Sequence, residues 1–121
     1  MIVLYARSNR NASIDNQLEI INRFAIKHNL SISKSYIDDG YSCLQERPAL
    51  NSLLSDIKLN KIDTIIVTDI ARLSRNYLKV QEYEMLFKKY NVKILYIDYE
   101  ELEWEQKIEL QSMQDILQKM K

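Results

Sequence analysis

Arg72 and Arg75 stand three residues apart at the end of an apolar, β-branched run, in the segment Thr64-Ile65-Ile66-Val67-Thr68-Asp69-Ile70-Ala71-Arg72-Leu73-Ser74-Arg75-Asn76. Such a strand is built to be buried, so the charges that end it call for a reason. Two guanidiniums at that spacing, starting a helix, can converge on one anion, and the planar fork of arginine suits a phosphate better than any other side chain does. The competing reading is a solvated pair at a helix start, and the rest of the chain has to decide between them.

Seventeen Lys and Arg residues balance seventeen Asp and Glu in a chain of 121. The overall charge therefore does not advertise a nucleic-acid ligand, and any polyanion site must be local. With 46% hydrophobic residues, there is apolar side chain enough for one core and one domain. Cys43 and His28 are the sole residues of their types, which excludes an internal disulfide, a multi-cysteine metal site and a zinc constellation. A reducing, cytoplasmic location fits. The apolar run Ile2 to Ala6 is too short for a signal peptide or a membrane span and is interrupted at once by Arg7. The single glycine, Gly40, rules out a G-x-G-x-x-G dinucleotide loop and a P-loop. An anion would be gripped by side chains.

The elements that must position those side chains alternate along the chain. Ile2 to Ala6 reads as a buried strand, and Ile14, Leu18, Ile21 and Ala25 fall at helical spacing after a Ser13 N-cap. Ser31 to Asp38 alternates as a second strand, and Gly40 turns the chain after Asp38-Asp39. Pro48 suits the first turn of a helix whose apolar face is Leu50, Leu53, Leu54 and Ile57. Ile62 to Val67 is the third strand, Tyr77 to Lys89 a helix, Val92 to Ile97 a fourth strand, and a last helix runs from about Leu102 to the end. The expected fold is α/β, with a central, mainly parallel sheet of four to five strands flanked by helices. In such folds ligands sit at the carboxyl ends of the strands, where Arg7, the pair Asp38 and Asp39, and then Asp69, Arg72 and Arg75 all fall.

Four ordered segments, Tyr5-Ala6-Arg7, Ser13-Ile14-Asp15-Asn16-Gln17, Asp38-Asp39-Gly40-Tyr41-Ser42 with Arg47-Pro48-Ala49-Leu50, and Arg72-Leu73-Ser74-Arg75-Asn76, together resemble the catalytic domain of serine recombinases. These are the resolvases, invertases and large transposon or phage integrases, and the wording from Asp69 to Tyr77 looks closest to the large transposon-type members. The resemblance implies DNA cleavage and strand exchange through a phosphoserine link, within an oligomer and with no metal or nucleotide cofactor. It implies DNA as partner and a role in recombination or integration of mobile elements. Matched position by position, Arg7, Arg47, Arg72 and Arg75 would bind the phosphate and its transition state. Gln17, Asp38, Asp39 and Ser42 would be substrate-binding. Fixed cations are what a metal-free phosphoryl transfer needs.

Three departures accompany the match. The family's nucleophilic serine, two residues after the first-strand arginine, is Asn9 here, and an amide is no nucleophile. Ser8 is one residue too early: on a strand it faces away from Arg7 and Asn9, and it could act only if the strand had ended or bulged. The expectation is impaired or lost chemistry. Second, the position before Arg72, usually acidic or serine in the family, is Ala71. Asp69 has the parity to substitute in part; the alternative is that it forms an ion pair with one of the arginines. Third, Cys43 stands where the family has glycine, and a lone thiol there is expected to be inert.

The chain divides into residues 1–100, the recombinase-like domain, and 101–121, a C-terminal helix matching the start of the family's dimerisation helix. Leu110, Met113, Leu117 and Met120 form a stripe that suits either its own domain or a partner chain, giving a homodimer or higher oligomer. Glu100, Glu101, Glu103 and Glu105 would repel a phosphate backbone, and no DNA-binding module follows. Three readings stand: an active recombinase domain using Ser8, a recombinase-like DNA-associated or protein-interaction module without chemistry, and an unrelated α/β phosphate-binding protein.

Overall fold

The computed structural model describes residues 1–8, 14–42 and 46–98. Asn9, Ser13, Cys43 and the C-terminal helix with its acidic start lie outside them. Four strands, β1 (Ile2–Ser8), β2 (Ile32–Asp39), β3 (Thr64–Val67) and β4 (Lys93–Tyr96), alternate with three helices, α1 (Ile14–Lys27), α2 (Pro48–Lys58) and α3 (Tyr77–Lys89). All pairings are parallel, in the order β2-β1-β3-β4. The third and fourth strands are shorter than their apolar runs. Ile62 precedes β3, and Ile97 and Asp98 already turn as helix, with Asp98 N–H donating to Thr68 O at 3.1 Å.

Strand alternation sorts the core into two layers. Val3 and Tyr5 of β1 and Ile65 and Val67 of β3 pack with Leu50, Leu53 and Ile57 of α2 and Phe87 of α3. Leu4, Ala6 and Ile66, of opposite parity, pack with Ile21 and Phe24 of α1. One face thus carries α2 and α3, the other α1.

A chain with one glycine needs another way to stop its helices. Asn29, Asn60 and Asn91 do so, at φ of 57°, 58° and 56°. After each, the next N–H reaches back to a carbonyl of the last turn: Leu30 to Ala25, Lys61 to Asp56 and Val92 to Phe87. Asparagine tolerates this left-handed conformation better than most side chains. Gly40 follows β2 at φ 87°, and its N–H donates to Ser8 O at 2.9 Å.

Asp38 joins the sheet to α2. Almost wholly buried, it accepts the N–H of Ala49 at 2.8 Å and of Leu50 at 3.0 Å, and the hydroxyl of Tyr5 at 2.8 Å. A carboxylate at the first turn of a helix takes up donors the helix cannot satisfy and suits the positive end of its dipole. On the same pair of elements Asp56 accepts from Tyr36 and Lys34. Those hydrogen bonds, Tyr36 first, hold the Asp56 carboxyl below its usual range. Removing the Asp38 acceptor strands three donors, two of them buried, so Asp38→Ala should lose about 3 kcal/mol of stability in urea unfolding, the sum of a lost cap and unmet buried donors. Asp38→Asn, which keeps one acceptor, should lose less; equal stability of Asp38→Ala and the natural chain would refute this linkage.

Candidate phosphate site

Between β1 and β3 the chain order reverses, since β1 leads outward to β2 and the chain then returns across the sheet to β3. The carboxyl ends of strands at such a reversal open a crevice. Arg7 closes β1 there, and Asp69 to Arg75 follow β3.

Between β3 and α3 lies a single 3-10 turn, Ile70–Arg72, capped by Asp69. This corrects the expectation that the arginine pair starts a helix: α3 begins at Tyr77, with Asn76 as its cap. The intervening turn points Arg72 back toward the sheet, while Arg75 is exposed. The arginines that converge with Arg72 are instead Arg7 and Arg47, from other elements. Arg7 Nε and Arg47 Nη1 both donate to the carbonyl of Arg72, at 3.1 and 2.8 Å. Arg7 Nη2 reaches Ala71 O at 2.6 Å and Arg7 Nη1 reaches Tyr41 O at 3.2 Å. Arg47 Nη2 takes Leu73 O, also at 2.6 Å. Arg72 answers with Nη1 on the carbonyl of Arg7 at 2.7 Å.

Two guanidiniums thus hold three successive carbonyls, and both are buried, Arg7 at 3% and Arg47 at 4% exposure. Arg47 has no carboxylate within ion-pair distance among the described residues; its other neighbours are the hydroxyls of Tyr5 and Tyr83, each at 3.5 Å. Burial and then the Asp38 hydrogen bond push the Tyr5 phenol well above its usual range, so it stays neutral. Tyr5 and Tyr83 are not among the site residues that the sequence singles out. The signal for Tyr5 was its parity, two residues before Arg7 on the same strand face.

Asp69 takes the ion-pair alternative. Its carboxylate accepts Ala71 N–H at 3.0 Å and Arg72 Nε at 3.2 Å. The Arg72 side chain remains 17% exposed, and its Nη2 has no hydrogen bond among the described residues. Gln17, buried in the first turn of α1, donates from Nε2 to Arg7 O at 2.9 Å and accepts Arg7 N–H at 3.2 Å. The pairing of β1 with β3 ends at Leu4 with Ile66, so this amide continues the ladder where β3 has left it. Asp39 ends β2 exposed beside Ser8, and Ser42 is half-buried after the Gly40 turn.

The register of β1 on β2 shifts once, between Ile2 and Val3, and is unbroken from Val3 through Ser8, which pairs with Asp39 and is 4% exposed. Alternation therefore sets the Ser8 side chain on the Leu4 and Ala6 face, toward α1, and the Arg7 side chain on the Tyr5 face, toward α2. Among the described residues no group of His, Cys, Asp and Glu could hold a metal ion, and no helix is long and apolar enough to cross a membrane.

Comparison with known proteins gives one consistent family. A protein of Bacillus subtilis (strain 168) described as "Putative DNA recombinase" is 32% identical over 108 residues, a match that takes in 83% of this chain and 21% of that protein. The chain spans about a fifth of that relative's length. The N-terminal catalytic domain of TP901-1 integrase superposes with a TM-score of 0.76 at 28% identity, over 81% of this chain and 77% of that one. The C-terminal catalytic domain of IS1535 TnpA, an IS607-like serine recombinase, does so with a TM-score of 0.66 at 26% identity, over 80% and 70% of the two chains. A resolvase family site-specific recombinase from Streptococcus pneumoniae shares the fold over 98% of this chain and 96% of that one, with a TM-score of 0.70 at 23% identity. The family model of the resolvase N-terminal domain matches residues 2–121, and the chain belongs to that family, the catalytic domains of serine recombinases.

Proposed function

We propose that this domain binds a DNA phosphodiester at the β1–β3 crevice and that its strand-cleaving chemistry is impaired or lost. The observation that carries the second half is the unbroken register of β1 from Val3 through Ser8, which turns the nearest hydroxyl toward α1 and away from the face of Arg7. Asn9, at the family's nucleophile position, offers an amide, and losing a covalent nucleophile removes orders of magnitude of rate. Ala71 likewise offers no proton acceptor beside Arg72.

Binding has firmer physical support than cleavage. Arg47, buried against neutral carbonyls with no carboxylate within ion-pair distance among the described residues, places positive charge at the crevice, and a local excess of positive charge draws in anions. In this reading Arg72, through its remaining Nη2, and Arg75 contact the phosphate. Arg7 and Arg47 are positioning residues that hold the turn carrying them. Gln17 and Asp38 fix the strand and helix ends beneath, and Asp69 orients Arg72. Asp39 and Ser42 lie on the rim. The domain then serves as a DNA-associated module, in an oligomer or beside an active recombinase.

Incubation with nicked suicide DNA substrates tests the chemistry: no covalent protein–DNA adduct should accumulate. An adduct that disappears in Ser8→Ala would instead establish Ser8 as the nucleophile and overturn this reading. For binding, Arg75→Ala should leave stability within about 0.5 kcal/mol, as for other exposed sites. It should also reduce the slope of log affinity against log salt by about one, the signature of one lost phosphate contact. A slope unchanged in Arg75→Ala would remove Arg75 from the interface.

A further inference from the structure

Nine large hydrophobic side chains are exposed among the described residues, and three of them, Ile70, Tyr77 and Leu78, fall within nine residues around Arg75. Tyr77 is 70% and Leu78 68% exposed, and Ile70 43%. Isolated apolar residues on a surface need no explanation, whereas a group of them beside a functional site does. The fold does not require this group. Helix α3 is anchored by Val80 and Phe87, Leu73 fills the core under the turn, and the N–H of Leu78 is already met by the Asn76 side chain at 3.0 Å.

We propose that Tyr77 and Leu78, with Ile70 at the margin, form an apolar contact for the sugars and bases of the DNA strand whose phosphate lies at Arg72 and Arg75. The proposal rests on the phosphate reading above and adds a second, uncharged subsite to it. Two features favour nucleic acid over a protein partner. The patch is continuous in the chain with the arginines, and of the charges along it, Asp69, Arg72, Arg75, Lys79 and Glu82, three are basic. Of these, Arg72 is paired with Asp69 and Lys79 with Glu82, while Arg75 is exposed with no ion pair among the described residues. An exposed tyrosine two residues along the chain from an exposed arginine suits a base or sugar edge, because every base offers a π-face and stacking tolerates any sequence.

Apolar and ionic contacts leave different marks on binding, which makes the subsite separable from the phosphate site. Anisotropy titrations of the whole chain with a short fluorescein-labelled DNA, across a range of salt, read both. Tyr77→Ala should weaken binding roughly tenfold at every salt concentration without changing the salt slope, the effect of one lost stacking contact. Tyr77→Phe should restore it, and both variants should melt with the natural chain. Unchanged affinity in Tyr77→Ala, alongside a reduced slope in Arg75→Ala, would overturn the subsite and leave the phosphate reading intact. No DNA binding by the natural chain at low salt would defeat both. If Tyr77→Ala and Leu78→Ala instead shift the sedimentation of the free protein, the patch joins protein to protein and the proposal is wrong.

Discussion

The carbonyl of Arg72 is where the site is tied together. It accepts one guanidinium from the end of β1 and another from the residue before α2, so a single backbone atom after β3 joins the ends of three elements remote in sequence. On either side the carbonyls of Ala71 and Leu73 take the second fork of each arginine. Without these bonds a short 3-10 turn with exposed carbonyls would have little to hold it, because its own hydrogen bonds have poorer geometry than those of an α-helix. Its position is fixed by the two arginines, and through it the side chains of Arg72 and Arg75.

Supporting interactions radiate from this junction. Tyr5 stands between Arg47 and Asp38, and Asp38 carries the first turn of α2, from which Arg47 emerges. Gln17 closes the free edge of β1 at Arg7. Burying Arg47 against neutral acceptors places positive charge at the crevice, whereas a matching carboxylate would have cancelled it. Asp69 neutralises Arg72 only in part and gives that side chain its direction. Strand alternation leaves the Ser8 hydroxyl on the face opposite Arg7, and the hydroxyls beside Arg47 are the phenols of Tyr5 and Tyr83.

Local pattern made much of this legible. The limits of α3 and the start of α2 at Pro48 follow from apolar spacing and proline chemistry, and the parity of Arg7 and Ser8 follows from strand geometry alone. The 3-10 turn did not, since Asp69 to Asn76 has no periodicity and its shape is set by Arg7 and Arg47 from far along the chain. The same holds for the bonds of Arg7 and Arg47 to the turn, which depend on carbonyl positions that no spacing encodes. Asn29, Asn60 and Asn91 were readable in principle, because each follows a helical run in a chain nearly without glycine, but asparagine is common in loops for other reasons. The ordered motifs point to the resolvase family whose model matches residues 2–121, and by resemblance alone they make Arg7, Arg47, Arg72 and Arg75 all phosphate-binding and transition-state residues.

That expectation and the proposal that Arg7 and Arg47 position the turn differ on one observable. Arginine side-chain NMR, following the Nε and Nη resonances of each residue as duplex DNA is added, separates arginines that hold the fold from those that hold the ligand. Arg7 and Arg47 should show slow guanidinium rotation and slow proton exchange in the free protein and change little on saturation, while Arg72 and Arg75 shift. Large shifts of Arg7 and Arg47, with loss of their protected protons when DNA binds, would show that they leave the carbonyls of residues 71–73 for the phosphate, and would contradict the account.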